Sequence, residues 1–581
     1  LTYYLMAIIL QRTNPYTTPQ TYHLKMEDFS ELAGGFTLSG NIVDVEQQEC
    51  YPGRIHIAEG KIVRIERGPV PETHYILPGL MDAHIHIESS LLPPSEFARE
   101  AVKQGMVAAV ADPHEIANVK GMEGVQFMID NARQSKFKFF FGAPSCVPAT
   151  PANSSGATLD VFHVEQLLQR DDIYFLSEMM NYPGVLNGDP EVMGKIAAAK
   201  KQGKPIDGHA PGLSGDNLKK YVNAGISTDH ECEDICEAEE KIGAGMRVII
   251  REGSATKNFD QLYPLINRYP SSVMICTDDC SPRDLIRGTL LNILKKGLNK
   301  GLNLFNLLRA LSWNTINHYN LPIGLLRKGD FADCVVVDNL DNLTVLQTYI
   351  NGEKVYDKEV DIPVNRDNIH IINEFKATKI EKAQLEITAK SDKIRVIGLI
   401  DKSLYTKLRI VPTSLVRASD TDNRLVSNPS QDILKIVVLN RYREQAQPAI
   451  GFVQGFGLQR GALCSTIAHD SHNIIAVGVD DDSLMQVMNT VIINKGGIAC
   501  YDGQTTIILT LPIAGLMSPE PAEIVAQQYD ALHRQVTALG ETLSSPFMTL
   551  SFLSLLVIPE LKIFDKGLFD VSLFQPVDLF V

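Results

Sequence analysis

The sequence predicts an α/β fold with three parts: a (β/α)8 barrel, a small β-sandwich-like domain built from strands on either side of it, and a C-terminal α+β domain. Three observations predict it. Short apolar runs alternate with helical stretches in about eight units over residues 76–321, the pattern of a parallel sheet closed into a barrel. β-patterned segments flank that stretch at 36–75 and 322–365. A third region, 366–581, carries β-like runs and one long helical pattern.

Taken in order, residues 1–35 hold Pro, Thr and Gln clusters and read as an irregular extension. Phe36 to Val43, Gly53 to Ala58 and Lys61 to Glu66 alternate apolar and polar residues, as half-buried strands do. The barrel strands are expected at Val107 to Ala111, Lys138 to Phe141, Ile173 to Leu176, Pro205 to Asp207, Arg247 to Ile250 and Ser272 to Cys276. Helices are expected between them, for example Gly188 to Gln202 and Leu285 to Leu298. Strands return at Ala332 to Asp338, Thr344 to Ile350 and Lys354 to Tyr356, with Asn351-Gly352 as a hairpin turn. Pro363 and its polar neighbours read as a linker. Beyond it, Ile394 to Ile400, Ile433 to Val438 and Thr505 to Leu511 read as strands, Pro521 to Leu539 as a helix, and Asp480 to Asp482 as a solvated loop.

Composition narrows the function. A chain of 581 residues with 44% apolar and 21% charged residues is a normal globular protein, not a disordered or collagenous one. Its net charge of −15 argues against a nucleic-acid partner, which needs a basic face. Nine cysteines in a long chain read as free thiols in a reducing compartment, so a cytoplasmic location is expected. The apolar runs Leu1 to Leu10 and Phe547 to Ile558 fall short of the about 20 residues that span a bilayer, so no membrane association is expected.

The chemistry concentrates in one constellation. In His84-Ile-His86 both imidazoles point to one side of a strand, which inside a barrel is inward. Glu178, His209, His230 and Asp278 each follow a later β-like run, and barrel active sites lie at the C-terminal ends of strands. Four His, one Glu and one Asp at one mouth suffice for two divalent cations, with Glu178 able to bridge. Such a pair lowers the pKa of a bound water and supplies hydroxide near neutral pH. The carboxylate on the last strand is placed to move protons, which points to hydrolysis at an electrophilic carbon with a nitrogen leaving group. Asp279 competes with Asp278 for the ligand role; the Thr-Asp order after the apolar run favours Asp278.

The motifs then carry a resemblance. Leu77-Pro-Gly-Leu-Met-Asp-Ala-His-Ile-His-Ile-Glu-Ser-Ser90, Ala111-Asp-Pro-His-Glu-Ile-Ala-Asn118, Phe141-Gly-Ala-Pro-Ser-Cys-Val-Pro-Ala-Thr150, Asp207-Gly-His-Ala-Pro-Gly212, Thr277-Asp-Asp279, Ala468-His-Asp-Ser-His-Asn473 and Leu511-Pro-Ile-Ala-Gly-Leu-Met517 resemble the adenine deaminases of the amidohydrolase superfamily, from about residue 36 onward. Glu178 stands where many superfamily members have a modified lysine. The resemblance implies hydrolysis of adenine to hypoxanthine and ammonia in purine salvage, by hydroxide attack at C6. It implies a binuclear divalent centre, manganese ahead of iron or zinc, and a homodimer. The metal set would be His84, His86, Glu178, His209, His230 and Asp278. Asp278 and Glu178 would be catalytic, with His114 and Glu115 contacting the purine or shuttling protons.

Other motifs admit more than one reading. Ser89 and Ser90 line the pocket or cap a helix. His469-Asp-Ser-His472 reads as a lid over the barrel mouth. Cys232-X3-Cys236 with Cys276-X3-Cys280 has zinc-like spacing, but Cys276 falls inside a strand. The alternatives are a related amidohydrolase acting on a cyclic amide or another aminopurine, and an inactive barrel used as a scaffold. The six intact ligand positions oppose the scaffold.

Overall fold

The computed structural model describes residues 35–254, 256–360, 369–419 and 421–581. The extension at 1–35, except its last residue, and the linker at Pro363 lie outside the described residues.

β1 (Phe36–Asp44), β2 (Glu49–Ala58) and β3 (Lys61–Arg67) form an antiparallel meander, and β4 (Tyr75–Pro78) pairs in parallel with β1. The chain then enters its parallel section. β5 (Leu80–His86), β6 (Met106–Ala111), β7 (Lys138–Ala143), β8 (Ile173–Met179) and β9 (Ile206–Gly208) pair in that order. β10 (Thr228–Asp229), β11 (Arg247–Arg251) and β12 (Val273–Cys276) form a second parallel arc. β13 (Asp278–Asp279) pairs with the free side of β5. Every residue of β5 and β6 is buried, as in parallel strands covered on both faces.

The two arcs approach each other at both ends. Ser227 N donates to Ile206 O at 2.9 Å, and Gly208 N donates to the Thr228 hydroxyl at 3.2 Å. At the other side Thr277 donates its N–H and hydroxyl to Asp82 at 3.1 and 2.6 Å. The result is a strongly curled parallel sheet with its strand ends gathered at one mouth.

Helices follow the parallel strands. α1 (His114–Ala132) follows β6. The helix expected at Gly188 to Gln202 runs from Pro190 to Lys201; the Asp189 carboxylate caps it, accepting from Glu191 N and Val192 N at 2.9 and 3.1 Å. The single helix expected at Leu285 to Leu298 is two, Pro282–Arg287 and Leu290–Asn299, because Gly288 at φ +110° interrupts the helical backbone.

β14 (Cys334–Val337), β15 (Val345–Ile350) and β16 (Glu353–Asp357) rejoin the first strands in one seven-stranded sheet, ordered β16-β15-β14-β4-β1-β2-β3. Asn351 and Gly352, both at positive φ, make the β15–β16 turn. The sheet curls on itself: Ile62 N donates to Asp330 O at 2.9 Å and Gly329 N to Ile62 O at 2.7 Å. Ile42, Ile55, Ile62, Cys334 and Val336 cluster in its core.

The third region contains β17 (Lys393–Gly398), β18 (Lys407–Pro412), β19 (Arg417–Ser419), β20 (Asp422–Leu425), β21 (Ile433–Leu439), β22 (Ala449–Gln454), β23 (Ala462–Ser465), β24 (Ile474–Gly478), β25 (Gly497–Tyr501) and β26 (Thr506–Thr510). Eight of them form a sheet ordered β18-β17-β22-β21-β24-β23-β25-β26. The sequence reading missed α2 (Asp481–Ile493) because its acidic start looked like a loop. Asp480 is instead the N-cap, accepting from Ser483 N at 2.7 Å, and Asp481 pairs with the buried Lys435. α3 (Ala522–Ala538) is the long predicted helix, and α4 (Pro546–Phe552) lies in the second apolar run. No helix among the described residues is long and apolar enough to cross a membrane.

Candidate active site

The six predicted ligand positions arrive at one place by the same local logic. His84 and His86 close β5, and the strand period of two puts both rings on one side. Glu178 stands one residue before the end of β8, His209 and His230 one residue past β9 and β10, and Asp278 opens β13. All six are buried.

Their donor atoms converge. The Nε2 atoms of His84 and His86 are 3.2 Å apart. Asp278 Oδ1 lies 3.6 Å from the first and 3.2 Å from the second. Glu178 Oε1 is 3.2 Å from His86 Nε2, while its Oε2 is 2.8 Å from His209 Nδ1 and 3.2 Å from His230 Nε2. Two donors on one cation, each about 2.0–2.2 Å from it, sit about 3.0–3.5 Å apart. The separations of His86 from His84, Asp278 and Glu178, each 3.2 Å, therefore suit donors around a shared ion, and Glu178 presents one oxygen to each side. His209 Nε2 is buried with no hydrogen-bond partner among the described residues, a ring nitrogen that a cation would satisfy. The residues fit a divalent centre, and their imidazole and carboxylate chemistry, free of thiolate, suits manganese, iron or zinc.

Electrostatics agree. Burial pushes the Glu178 carboxyl up, but the His230 and His209 imidazoles more than offset it and hold it well below the carboxylate range. For Asp278, burial is outweighed by the Arg251 guanidinium and by His84 and His86. Asp278 also adopts φ +55°, a left-handed conformation that costs a non-glycine residue energy and often marks a functional site.

Supporting groups lock these six side chains in place. Asp82 ties β5 to the turn bearing Asp278. Lys241, fully buried, donates to Ala210 O at 2.7 Å and Asp229 at 2.9 Å, fixing the neighbours of His209 and His230. Tyr221 donates to Met179 O at 2.8 Å and accepts from His209 N at 3.1 Å, joining the Glu178 and His209 strands.

Of the two adjacent aspartates, Asp278 faces the histidines; Asp279 accepts from the Ser89 hydroxyl at 2.5 Å. Ser90 donates to Ile87 O within its own turn. His114, the first residue of α1, has Nδ1 2.9 Å from Asp112 and 3.7 Å from Glu178. Glu115 points toward the third region, where His469 Nδ1 lies 2.6 Å from Oε1 and His472 Nε2 contacts Oε2. The His472 contact is a hydrogen bond and the His469 contact an ion pair. The His469–His472 segment thus enters the pocket wall, which His86, His114, Glu115, Glu178, Asp470 and Phe552 help to line.

Sequence reasoning missed Glu231 and Arg251. Arg251 closes β11 and makes a forked pair with Glu231 at 2.6 and 2.9 Å, while also reaching Asp278. The strand-end rule that picked out the six candidate residues would have found it, but a search for metal-binding side chains passes over a cation. The nine cysteines are free; Cys232 donates to Asp229 at 3.2 Å, Cys236 is exposed, and Cys276 packs in β12 with Ala83, Ile249 and Met274.

Comparison with known proteins bears on both halves of the chain. The amidohydrolase family model matches residues 75–355, and the model of the adenine deaminase C-terminal domain matches residues 410–575. An adenine deaminase of Salinibacter ruber is 49% identical over 552 residues, 95% of this chain and 100% of its own length. One from Methanosarcina mazei is 49% identical over 553 residues, covering 93% and 99%. One from Borreliella burgdorferi is 44% identical over 550 residues, covering 94% and 99%. With relatives this similar across nearly the whole chain, this protein belongs to the adenine deaminase family of the amidohydrolase superfamily.

Proposed function

We propose that this protein hydrolyses adenine to hypoxanthine and ammonia, in purine salvage. The observation that carries the reading is the buried convergence of His84, His86, Glu178, His209, His230 and Asp278 in a chain of this family. His84, His86 and Asp278 would hold one divalent cation and His209 and His230 the other, with a Glu178 oxygen turned to each side. When bound, such ions supply Lewis acidity and a source of hydroxide near neutral pH. Manganese is the metal we favour, with iron or zinc able to take the same donors.

The chain's own groups move the protons. Water adds to C6, and N1 gains a proton as negative charge moves onto it. The amino nitrogen is then protonated and leaves as ammonia, while C6 keeps the oxygen. Arg251 keeps Asp278 ionised, the state that accepts the proton of the attacking water and returns it to the leaving nitrogen. Asp112 orients His114, whose ring lies beside Glu178 and passes protons at the purine edge. Glu115, gripped by two histidines, fixes the pocket wall and tunes that relay.

We further propose that the two parallel arcs form one (β/α)8 barrel, between a β domain at 36–75 with 322–365 and a C-terminal domain at 366–581. The free thiols support a cytoplasmic location, and a homodimer is the expected assembly.

The test is ammonia release and ultraviolet absorbance change with adenine, on manganese-loaded protein. Turnover of adenine, lost in Glu178→Gln, is expected. No turnover with two metals bound per chain would overturn the substrate assignment.

A further inference from the structure

One buried charged group in the pocket is unused by this chemistry. Asp470 is 3% exposed, and its Oδ2 is buried without a hydrogen-bond partner among the described residues. Its Oδ1 has only distant neighbours, His469 Nδ1 at 3.7 Å and His114 Nε2 at 3.9 Å. A desolvated carboxylate with no donor is costly, by several kcal/mol, unless a bound molecule brings one. Burial raises this carboxyl only to about 6, so it is mainly ionised at neutral pH and accepts hydrogen bonds.

Its position is fixed. His469 N donates to Ser551 O at 3.0 Å, and His472 N donates to Ala468 O at 2.7 Å. Tyr442 donates its hydroxyl to Ser471 O at 2.7 Å. The His469 ring stacks on Phe552 with centroids 4.4 Å apart. The segment that carries Asp470 is therefore a rigid part of the pocket wall rather than a loose flap.

The arrangement sets a distance scale. The His114 ring stands between Glu178, 3.7 Å from its Nδ1, and Asp470, 3.9 Å from its Nε2. A flat bicyclic base beside that ring, with its reacting carbon at the Glu178 end, has its other ring toward Asp470. On adenine that far ring carries the one ring N–H of the free base. A 9-substituted adenine has carbon in place of the N9 proton.

We infer that Asp470 is a specificity-determining residue: it accepts the imidazole-ring N–H of the free base and so discriminates against 9-substituted adenines such as nucleosides. The C-terminal region thereby reads the end of the substrate that the metal-binding side chains do not touch. This rests on the adenine reading above.

The test compares wild type, Asp470→Asn and Asp470→Leu, each verified to carry the wild-type metal content. It measures kcat and KM for adenine and the inhibition constant of 9-methyladenine. Wild type is expected to prefer adenine strongly. Asp470→Leu should lose about 100-fold in kcat/KM for adenine, mainly through KM, the scale of a charged hydrogen bond. Its affinity for 9-methyladenine should stay level or improve, and Asp470→Asn should fall between. Equal losses for both compounds, or an unchanged preference in Asp470→Leu, would overturn the inference. Failure of wild type to turn over adenine would instead strike the parent reading.

Discussion

His469 Nδ1 lies 2.6 Å from Glu115 Oε1, although one belongs to the C-terminal region and the other to the first turn of α1. Glu115 is held well below the carboxylate range; burial opposes this, but His469, His114 and His472 outweigh it. Burial pushes His469 down, yet the Glu115 carboxylate carries it up to about 9. The pair is therefore a buried ion pair that fastens the third region onto the parallel sheet. Breaking such a pair from one side costs about 3–5 kcal/mol. His469→Ala should lower Tm and raise KM for adenine while metal content stays at the wild-type value, as calorimetry, kinetics and elemental analysis would show.

Glu178 touches histidines on both sides of the site. Glu178→Gln keeps its size but removes the charge that faces those histidines. Metal content should fall below the wild-type value, and activity by about 1,000-fold or more, the worth of several kcal/mol in the transition state. Elemental analysis of the purified variant beside an ammonia assay checks both.

Arg251 neutralises Glu231 and Asp278 together. Arg251→Met leaves two buried carboxylates without their cation and should cost about 3–5 kcal/mol of stability. Arg251→Lys restores charge without the planar fork and should recover only part of it. Urea unfolding of the three proteins gives the ranking.

Lys562 is fully buried, donating to Leu404 O at 2.7 Å and Phe552 O at 3.2 Å, with no carboxylate paired to it among the described residues. Burial lowers it from 10.5 to about 7. Between those values the unfolded chain binds more protons than the folded one, so this group makes stability rise as pH rises from about 7 to about 10.5. Below about 7 the penalty is fully present. Lys562→Met should flatten that rise, which Tm measured across this pH range would reveal.

Gly515 adopts φ +68°, and a Cβ there would lie 2.0 Å from Arg441 Nη1. Arg441 cannot yield easily: it is fully buried and donates to Ala514 O at 2.6 Å. Gly515→Ala should destabilise the protein by about 2–3 kcal/mol, combining backbone strain with overpacking. Thermal denaturation is the check. This places the Leu511–Met517 motif in the framework rather than the chemistry, and Ser518 N donating to Leu91 O at 2.8 Å joins it to the segment after β5.

The sequence by itself determined the parts whose signal is local. Strand alternation fixed β1 to β3, and Asn351-Gly352 fixed its turn, because side-chain period and φ > 0 are properties of a few adjacent residues. His84 and His86 were legible for the same reason, and strand-end positions flagged Glu178, His209, His230 and Asp278. Tertiary structure decided what depends on distant partners. It turned the acidic run at Asp480 into a helix cap and broke a predicted helix at Gly288. It curled the sheet expected from the two flanking regions until Ile62 met Asp330. It brought Arg251 onto Asp278 and His469 onto Glu115, pairings made by side chains far apart in sequence. Ionic and hydrogen-bonding energies act across space, so no periodicity along the chain announces which charges will meet.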